Sequence, residues 1–509
     1  MKKRTPPNSA PPDLSLGAGL ALTAGAVLLT GLVGVGVCGG LLPAGAPEWF
    51  WPLRRTGPLP WGPAAAVALL AAALLALLTF DRLRAAAEPS RRLCVLLLVA
   101  MILLGLALTV GVAMQDPFYP VTGGLTVLSD LAIGYYGAAA HLPDADAAFS
   151  EHLARAQNPA VPDRVRTHPP GPILFMRGLR EAGLAAHGSL TVLEDLLRKT
   201  YGVEGAGLAD LARPGVAQPP SPLEALIAVP VAFLLAALAA LIVLPVYALG
   251  ATLADRRVGL AAAALGVTLP ALLCYVPGID GPGAVLALTA LALWAGALRW
   301  GDWWLYLLAG LGAAAALLWS FGYAALALPA FLLMFPRGRW RPARLAPGLV
   351  FAAVGLGMVY GILDATFGYS LPVAMSASLA AQKQIMFREQ RPYLTWLWLN
   401  PYSWVVFAGP GLLLLALGGW FTKGFREGGM GRAAQGLMLT LVVLVLAGTT
   451  RAEVERIWVF LMPLAALPAA WLLTRFPQAL RLWAPALIVL AQVALALALR
   501  GTFDLVKPY

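Results

Sequence analysis

The residues able to do chemistry fall in a few polar stretches between long apolar runs. Ser129 and Asp130 open a stretch that reads as a helix running to Ala140, with Tyr135 on it. Either residue could cap that helix, and a carboxylate there is favoured by the helix dipole. A carboxylate at a membrane surface can also act as a general base, and Asp130 is the candidate. Next comes Arg164-Val165-Arg166-Thr167-His168-Pro169-Pro170-Gly171-Pro172. The prolines stiffen this turn, and Pro172 suits the first turn of a helix from Ile173 to about Ala186. Arg166 and His168 then precede a helix N-terminus, a place that attracts anions. The plainer alternative is a rigid turn that delivers a packing helix.

Three more stretches carry charge. Asp280, in the link Tyr275–Gly283, could cap the following helix. Lys383, Arg388 and Arg391 are followed by Tyr393, Trp396, Trp398 and Tyr402. That mixture fits an interfacial helix with an aromatic belt. It also fits a lid in which arginines meet a phosphate and rings support a sugar. Arg451, Glu453, Glu455 and Arg456 crowd the start of an apolar run, where charges need partners or water. Asp364 lies inside another apolar run, near its end.

The elements that must position these residues follow from composition. The chain has 509 residues, 60% hydrophobic and 12% charged, with a mean hydropathy of +0.77. Soluble domains run near 45–50% and 25%. A soluble globular protein, a coiled coil and a disulfide scaffold are excluded. A span needs roughly 20 apolar residues to cross about 30 Å of hydrocarbon, and about thirteen stretches can be placed here. They lie near 16–42, 61–80, 93–113, 223–250, 258–275, 281–298, 304–319, 323–335, 346–367, 403–420, 433–448, 457–474 and 482–499. The expected fold is all-α, a polytopic transmembrane helical bundle. Cys38, Cys94 and Cys274 sit in apolar runs with no metal-ligand spacing.

The net charge of +11 reads as the excess Lys/Arg of cytoplasmic loops, not as a nucleic-acid surface. Lys2, Lys3, Arg4, Arg91, Arg92, Arg256, Arg257, Arg337, Arg339, Lys423, Arg475 and Arg481 fall on one side if the N-terminus is cytoplasmic. Two segments are too long for connectors, 114–222 and 368–402. Both fall on the outer side, as does the stretch around 449–456, so one composite outer site is expected. The division is an N-terminal two-span extension, 1–92, and a membrane domain, 93–509.

In order and spacing, Asp130, Tyr135 and His168-Pro169-Pro170-Gly171 resemble the glycosyltransferase C superfamily. The nearest pattern is the bacterial branch with the lipid A aminoarabinose transferase, protein mannosyltransferases and family-39-like enzymes. Those enzymes often carry Asp-Glu where this chain has Ser129-Asp130, and more often Leu where it has Gly171. The resemblance implies an enzyme of the bacterial cytoplasmic membrane that draws on a polyprenyl-phosphate sugar. It would act on a lipid, glycan or protein acceptor at the outer face. Asp130 would be the base. Tyr135, His168, Arg166, Asp280, Arg388, Arg391, Glu455 and Arg456 would bind substrate or lipid phosphate, with Arg456 nearest the phosphate. No cofactor and no metal is implied. The expected partners are membrane lipids, the donor and the acceptor. The rival readings are a transporter or flippase, and a membrane scaffold. Convergence of Asp130, His168 and Arg456 would favour the enzyme.

Overall fold

The computed structural model describes residues 14–54, 62–83, 88–335, 342–422 and 424–506. Lys2, Lys3, Arg4, Arg337, Arg339 and Lys423 lie outside the described residues. Every apolar stretch read from the sequence is helical, but not every one is a full span. Among the described residues eight helices are long and apolar enough to cross a membrane, and one bent pair would make a ninth. The eight are Leu16–Cys38, Pro63–Leu83, Arg91–Ala113, Pro222–Leu253, Asp280–Trp300, Leu345–Phe367, Gly429–Ala447 and Trp483–Thr502. The remaining expected stretches are shorter or interrupted, at Arg256–Val267 with Pro270–Cys274, at Trp303–Trp319, at Phe321–Leu333 and at Val459–Leu473. Pro270 opens the second piece of the first of these, and Pro463 stands in the first turn of the Met462–Leu473 helix within the last, because Pro fits a first turn and interrupts a helix running into it.

Local chemistry sets the ends. Ser15 and Ser90 accept from the backbone N–H groups of Ala18 and Leu93 and so cap the Leu16–Cys38 and Arg91–Ala113 helices. Ser221 and Glu224 form a reciprocal capping box at the start of Pro222–Ala240. The Tyr393–Ala408 and Pro410–Trp420 helices meet at 95°. Gly409 between them has φ 93°, a conformation that favours glycine.

One core cluster runs from Ala26 to Phe503. The Leu16–Cys38 helix packs on Pro410–Trp420 and Trp483–Thr502, and Pro63–Leu83 packs on Arg91–Ala113. The first two spans are therefore built into the same bundle as the rest. Leu28, Leu32, Leu96, Val350 and Ile362 are exposed on its outside, as a lipid-facing surface requires.

The segment 114–222 is helical throughout its middle, with Gly171–Ala185 and His187–Tyr201 its longest helices. Its early part differs from expectation. The helix begins at Tyr135, not Ser129, because Gly134 at φ 76° closes a turn first. The 368–402 segment holds the Leu371–Arg388 helix and the first part of Tyr393–Ala408. Between the first two spans, Gly45–Ala46 pairs antiparallel with Trp49–Phe50.

Several helix crossings leave no room for a side chain. A Cβ on Gly310 would sit 2.1 Å from the Ala352 carbonyl oxygen of the facing helix, whereas one on Gly357 would meet nothing within 4 Å. Gly310→Ala should lose about 1–3 kcal/mol, because backbone cannot yield as a side chain does. Gly357→Ala should hold or gain stability. Thermal unfolding in detergent checks the pair.

Candidate functional site

Four segments far apart in sequence meet at one end of the bundle. Arg456 donates to Asp280 Oδ2 at 3.0 Å and to Glu453 Oε2 at 2.5 Å. Glu453 also faces Arg164 at 3.5 Å and Arg391 at 3.4 Å. Arg164 has no other carboxylate within ion-pair distance among the described residues. Beside it, the His168 ring lies edge-on to Tyr135, with centroids 5.7 Å apart. His168 Nδ1 is 2.9 Å from the Arg164 carbonyl oxygen. A carbonyl can only accept, so Nδ1 carries the proton and Nε2 keeps its lone pair. Asp280 and Arg456 line a small, narrow cleft together with Ala239, Ala271, Tyr275 and Val276.

Local backbone explains why these side chains face one another. Arg164 and His168 are four apart across the short helix Asp163–Thr167 and share a face. Arg166 points the other way, buried, and reaches the Ala156 carbonyl and Gln384. Gly171 follows because a Cβ there would strike the Leu318 carbonyl oxygen at 2.2 Å, which leaves no room for the more frequent leucine. Ala452 and Glu453 both take positive φ, 72° and 59°. This costs about 1–3 kcal/mol per residue and needs support from its surroundings. Asn400 supplies it, accepting from Ala452 N–H at 3.1 Å and donating to the Thr450 carbonyl at 2.8 Å. The corner turns Glu453 and Arg456 to one side and Glu455 to the other.

The N-terminal hairpin closes over that corner. Trp51 Nε1 donates to Glu455 Oε1 at 3.0 Å, and the Arg391 guanidinium lies 4.9 Å from the Trp49 ring centre. Trp396 donates to Glu48, and the Tyr402 hydroxyl to the Pro43 carbonyl. Of the aromatics in the expected lid, Trp396 and Tyr402 thus brace the hairpin segment, while Tyr393 donates to the Leu446 carbonyl and Trp398 is exposed. Glu455 is only 3% exposed.

Burial alone would raise the Glu453 carboxyl, but Arg456, Arg164 and Arg391 overcome it and hold it at about 2. Burial lowers His168 to about 4, with Arg456 adding to the effect and Asp280 opposing it, so the ring is neutral at neutral pH. Burial pushes the Glu455 carboxyl up, with its own backbone N–H and Trp51 pulling partly back.

Three expected site residues lie apart from this cluster. Asp130 Oδ2 accepts from Ala217 N–H at 2.7 Å, and Asp130 N–H donates to the Gly215 carbonyl at 2.9 Å. Its carboxylate sits over Gly137, while Tyr135 carries the cluster side. Two residues along a helix turn about 200°, so Asp130 and the cluster flank opposite faces of the Tyr135–Ala140 helix. Of the three residues expected to converge, His168 and Arg456 do and Asp130 does not. Burial raises the Asp130 carboxyl, and the Ala217 bond and His141 oppose this. Arg388 pairs with Asp163 at the surface, well exposed, and Arg166 stays in its structural tie. Asp364 is exposed on its helix. Arg164 and Glu453 join the site although sequence reasoning did not select them. The four-residue step to His168 and the three-residue step to Arg456 were the available signals. Among the described residues no three His, Cys, Asp or Glu side chains gather as a metal site would need.

No family model matches the chain, and no curated protein matches it. Among solved structures it is similar to the crystal structure of the Archaeoglobus fulgidus oligosaccharyltransferase, a complex with zinc and sulfate. The TM-score is 0.33 and the identity 17%, over 58% of this chain and 44% of that one. The chain thus spans less than half the length of that enzyme.

Two predictions follow from this geometry. Asp130→Ala should cost about 1 kcal/mol through loss of the Ala217 bond, and Asp130→Asn much less, since it keeps an acceptor; thermal unfolding reads both. Stability should also fall with pH in two stages. Unfolded His titrates near 6.5 and Glu near 4.3. Between those of unfolded and folded His168, from about 6.5 down to about 4, the unfolded chain binds the extra proton. Below about 4.3, Glu453 loses its contribution as pH falls towards about 2. His168→Gln should flatten only the upper stage in unfolding curves taken across that range.

Proposed function

We propose that the chain is an integral-membrane glycosyltransferase. It takes a sugar from a polyprenyl-phosphate donor and places it on a hydroxyl of an envelope lipid, glycan or protein. The reaction runs at the outer face of a bacterial cytoplasmic membrane, with inversion at the anomeric carbon. The observation that carries this reading is the meeting of Arg164, Arg391 and Arg456 with neutral His168 beside a cleft at the end of an apolar bundle. Such a place lets a lipid tail stay in hydrocarbon while its phosphate meets guanidiniums. The order of Asp130, Tyr135 and the His168-Pro-Pro-Gly turn in the sequence supports the same class.

The chemistry asked of the site is modest. As the acceptor oxygen attacks the anomeric carbon, the phosphate leaves with growing negative charge. Arg456 and Arg164 stabilise that charge where it develops, and His168 Nε2 can accept a hydrogen bond from a sugar hydroxyl. Asp280 and Glu453 hold the guanidiniums in place beforehand. A phosphate leaving group needs little protonation, unlike the leaving group in glycoside hydrolysis, which normally calls on two carboxyl groups. Asp130, against the far face of the Tyr135–Ala140 helix, braces the loop in this account.

A transporter reading has one observation of its own, the 95° break at Gly409, since broken helices often build transport sites. The two readings separate in liposomes made with native membrane lipids and labelled polyprenyl-phosphate sugars. The wild type should consume a donor. Arg456→Gln should lower turnover by about 10²–10³-fold, while Asp130→Asn stays within a few-fold of wild type. A wild type that moves donor between leaflets and never consumes it would overturn the enzyme in favour of the transporter.

A further inference from the structure

The acceptor hydroxyl must lose a proton, and the carboxylates at the cleft are not equal to that task. Asp280 is ion-paired with Arg456, and Glu453 is shared by three guanidiniums. A carboxylate held by cations is stabilised as the anion and binds a proton poorly. Glu455 differs. It makes no ion pair among the described residues, although Arg456 adjoins it in sequence. Its Oε1 accepts two neutral donors, Trp51 Nε1 at 3.0 Å and the Tyr275 hydroxyl at 3.3 Å. Tyr275 also lines the cleft, alongside Asp280 and Arg456. The phenol therefore stands between the cleft and a carboxylate that no cation holds.

We infer that Tyr275 and Glu455 form the proton-accepting relay of the site, with Trp51 of the N-terminal hairpin as the positioning residue that fixes the Glu455 carboxylate. This assignment rests on the glycosyltransferase reading. In the step, the acceptor oxygen bonds to the anomeric carbon as its proton passes to the Tyr275 oxygen. The Tyr275 proton passes at the same time to Glu455 Oε1. The bond from the anomeric carbon to the phosphate oxygen breaks, and its electron pair leaves on the phosphate. Tyr275 ends neutral, Glu455 ends protonated, and the proton returns through Tyr275 to water once the cleft empties. The relay needs no ionised phenol, because each oxygen gives one proton as it takes another.

The surroundings of Glu455 set its pH response. Trp51 faces it from the hairpin, Tyr275 from the 275–279 link, and Glu453 and Arg456 from its own segment. Burial and Glu453 oppose its ionisation, while Trp51 and Arg456 favour it. The relay works only with Glu455 ionised, so turnover should climb with pH over a range above that of an ordinary carboxylate.

The test is donor consumption against pH in the same liposomes, for wild type, Glu455→Gln, Tyr275→Phe and Trp51→Phe. Glu455→Gln and Tyr275→Phe should each lose about 10²–10⁴-fold in kcat. The donor KM should hold, and the rising limb of the pH profile should vanish in Glu455→Gln. Trp51→Phe should keep the rising limb but move it, because one donor to the carboxylate is gone. Tyr275→Phe carries the test if Glu455→Gln fails to fold, since it removes only a hydroxyl. Wild-type kcat and an unshifted profile in both folded variants would overturn this assignment and leave the enzyme class intact. No donor consumption by the wild type would overturn the class, and the relay with it.

Discussion

The ion pair between Arg456 and Asp280 is the constraint on which one end of this molecule depends. Arg456 is only 9% exposed at the edge of an apolar bundle, where an unpaired charge costs several kcal/mol. Asp280 answers it from the first turn of one span, and Glu453 from three residues upstream. Glu453 then draws in Arg164 from the long loop and Arg391 from the 368–402 segment. Four distant parts of the chain are thus fixed by one chain of charge pairing.

That pairing explains features that otherwise look unrelated. The left-handed corner at Ala452–Glu453 is unfavourable backbone, yet without it Glu453 would not face Arg456. Asn400 braces the corner, and the hairpin between the first two spans shields it with Trp49 and Trp51. The first two spans read in the sequence as an addition ahead of the main domain. In the fold they deliver a tryptophan to a buried carboxylate at the site. The cleft itself is narrow, and the Asp280–Arg456 pair and Tyr275 all line it.

Much of this was legible in the residues. Apolar runs marked the helices, because hydrocarbon-facing helices need continuous apolar sequence, whatever their partners. Their lengths were less legible: Pro270, Gly409 and Pro463 shorten or bend segments that hydropathy alone reads as full spans. His168, Asp280 and Arg456 stand in polar stretches expected from the sequence to lie on one side of the membrane, and in the fold they lie in one cluster. Direction within a stretch did not follow. Arg164 and Arg166 are two apart on a short helix and point to opposite sides, so the choice between them turned on a helix that no long periodic pattern announces. Asp130 and Tyr135 looked like partners by spacing, but Gly134 turns the chain between them. Glu455 is expected from the sequence to bind substrate or lipid phosphate; its burial was not legible, because the hairpin that covers it lies some four hundred residues earlier.

The most direct measurement is a double-mutant cycle on Arg456 and Asp280, read by unfolding in detergent. Arg456→Gln leaves Asp280 without its cation, and Asp280→Asn leaves Arg456 with Glu453 alone. Each alone should be costly, the double variant should recover part of the loss, and the coupling should reach about 1–3 kcal/mol. Losses that simply add would contradict it, because the two residues would then not depend on each other.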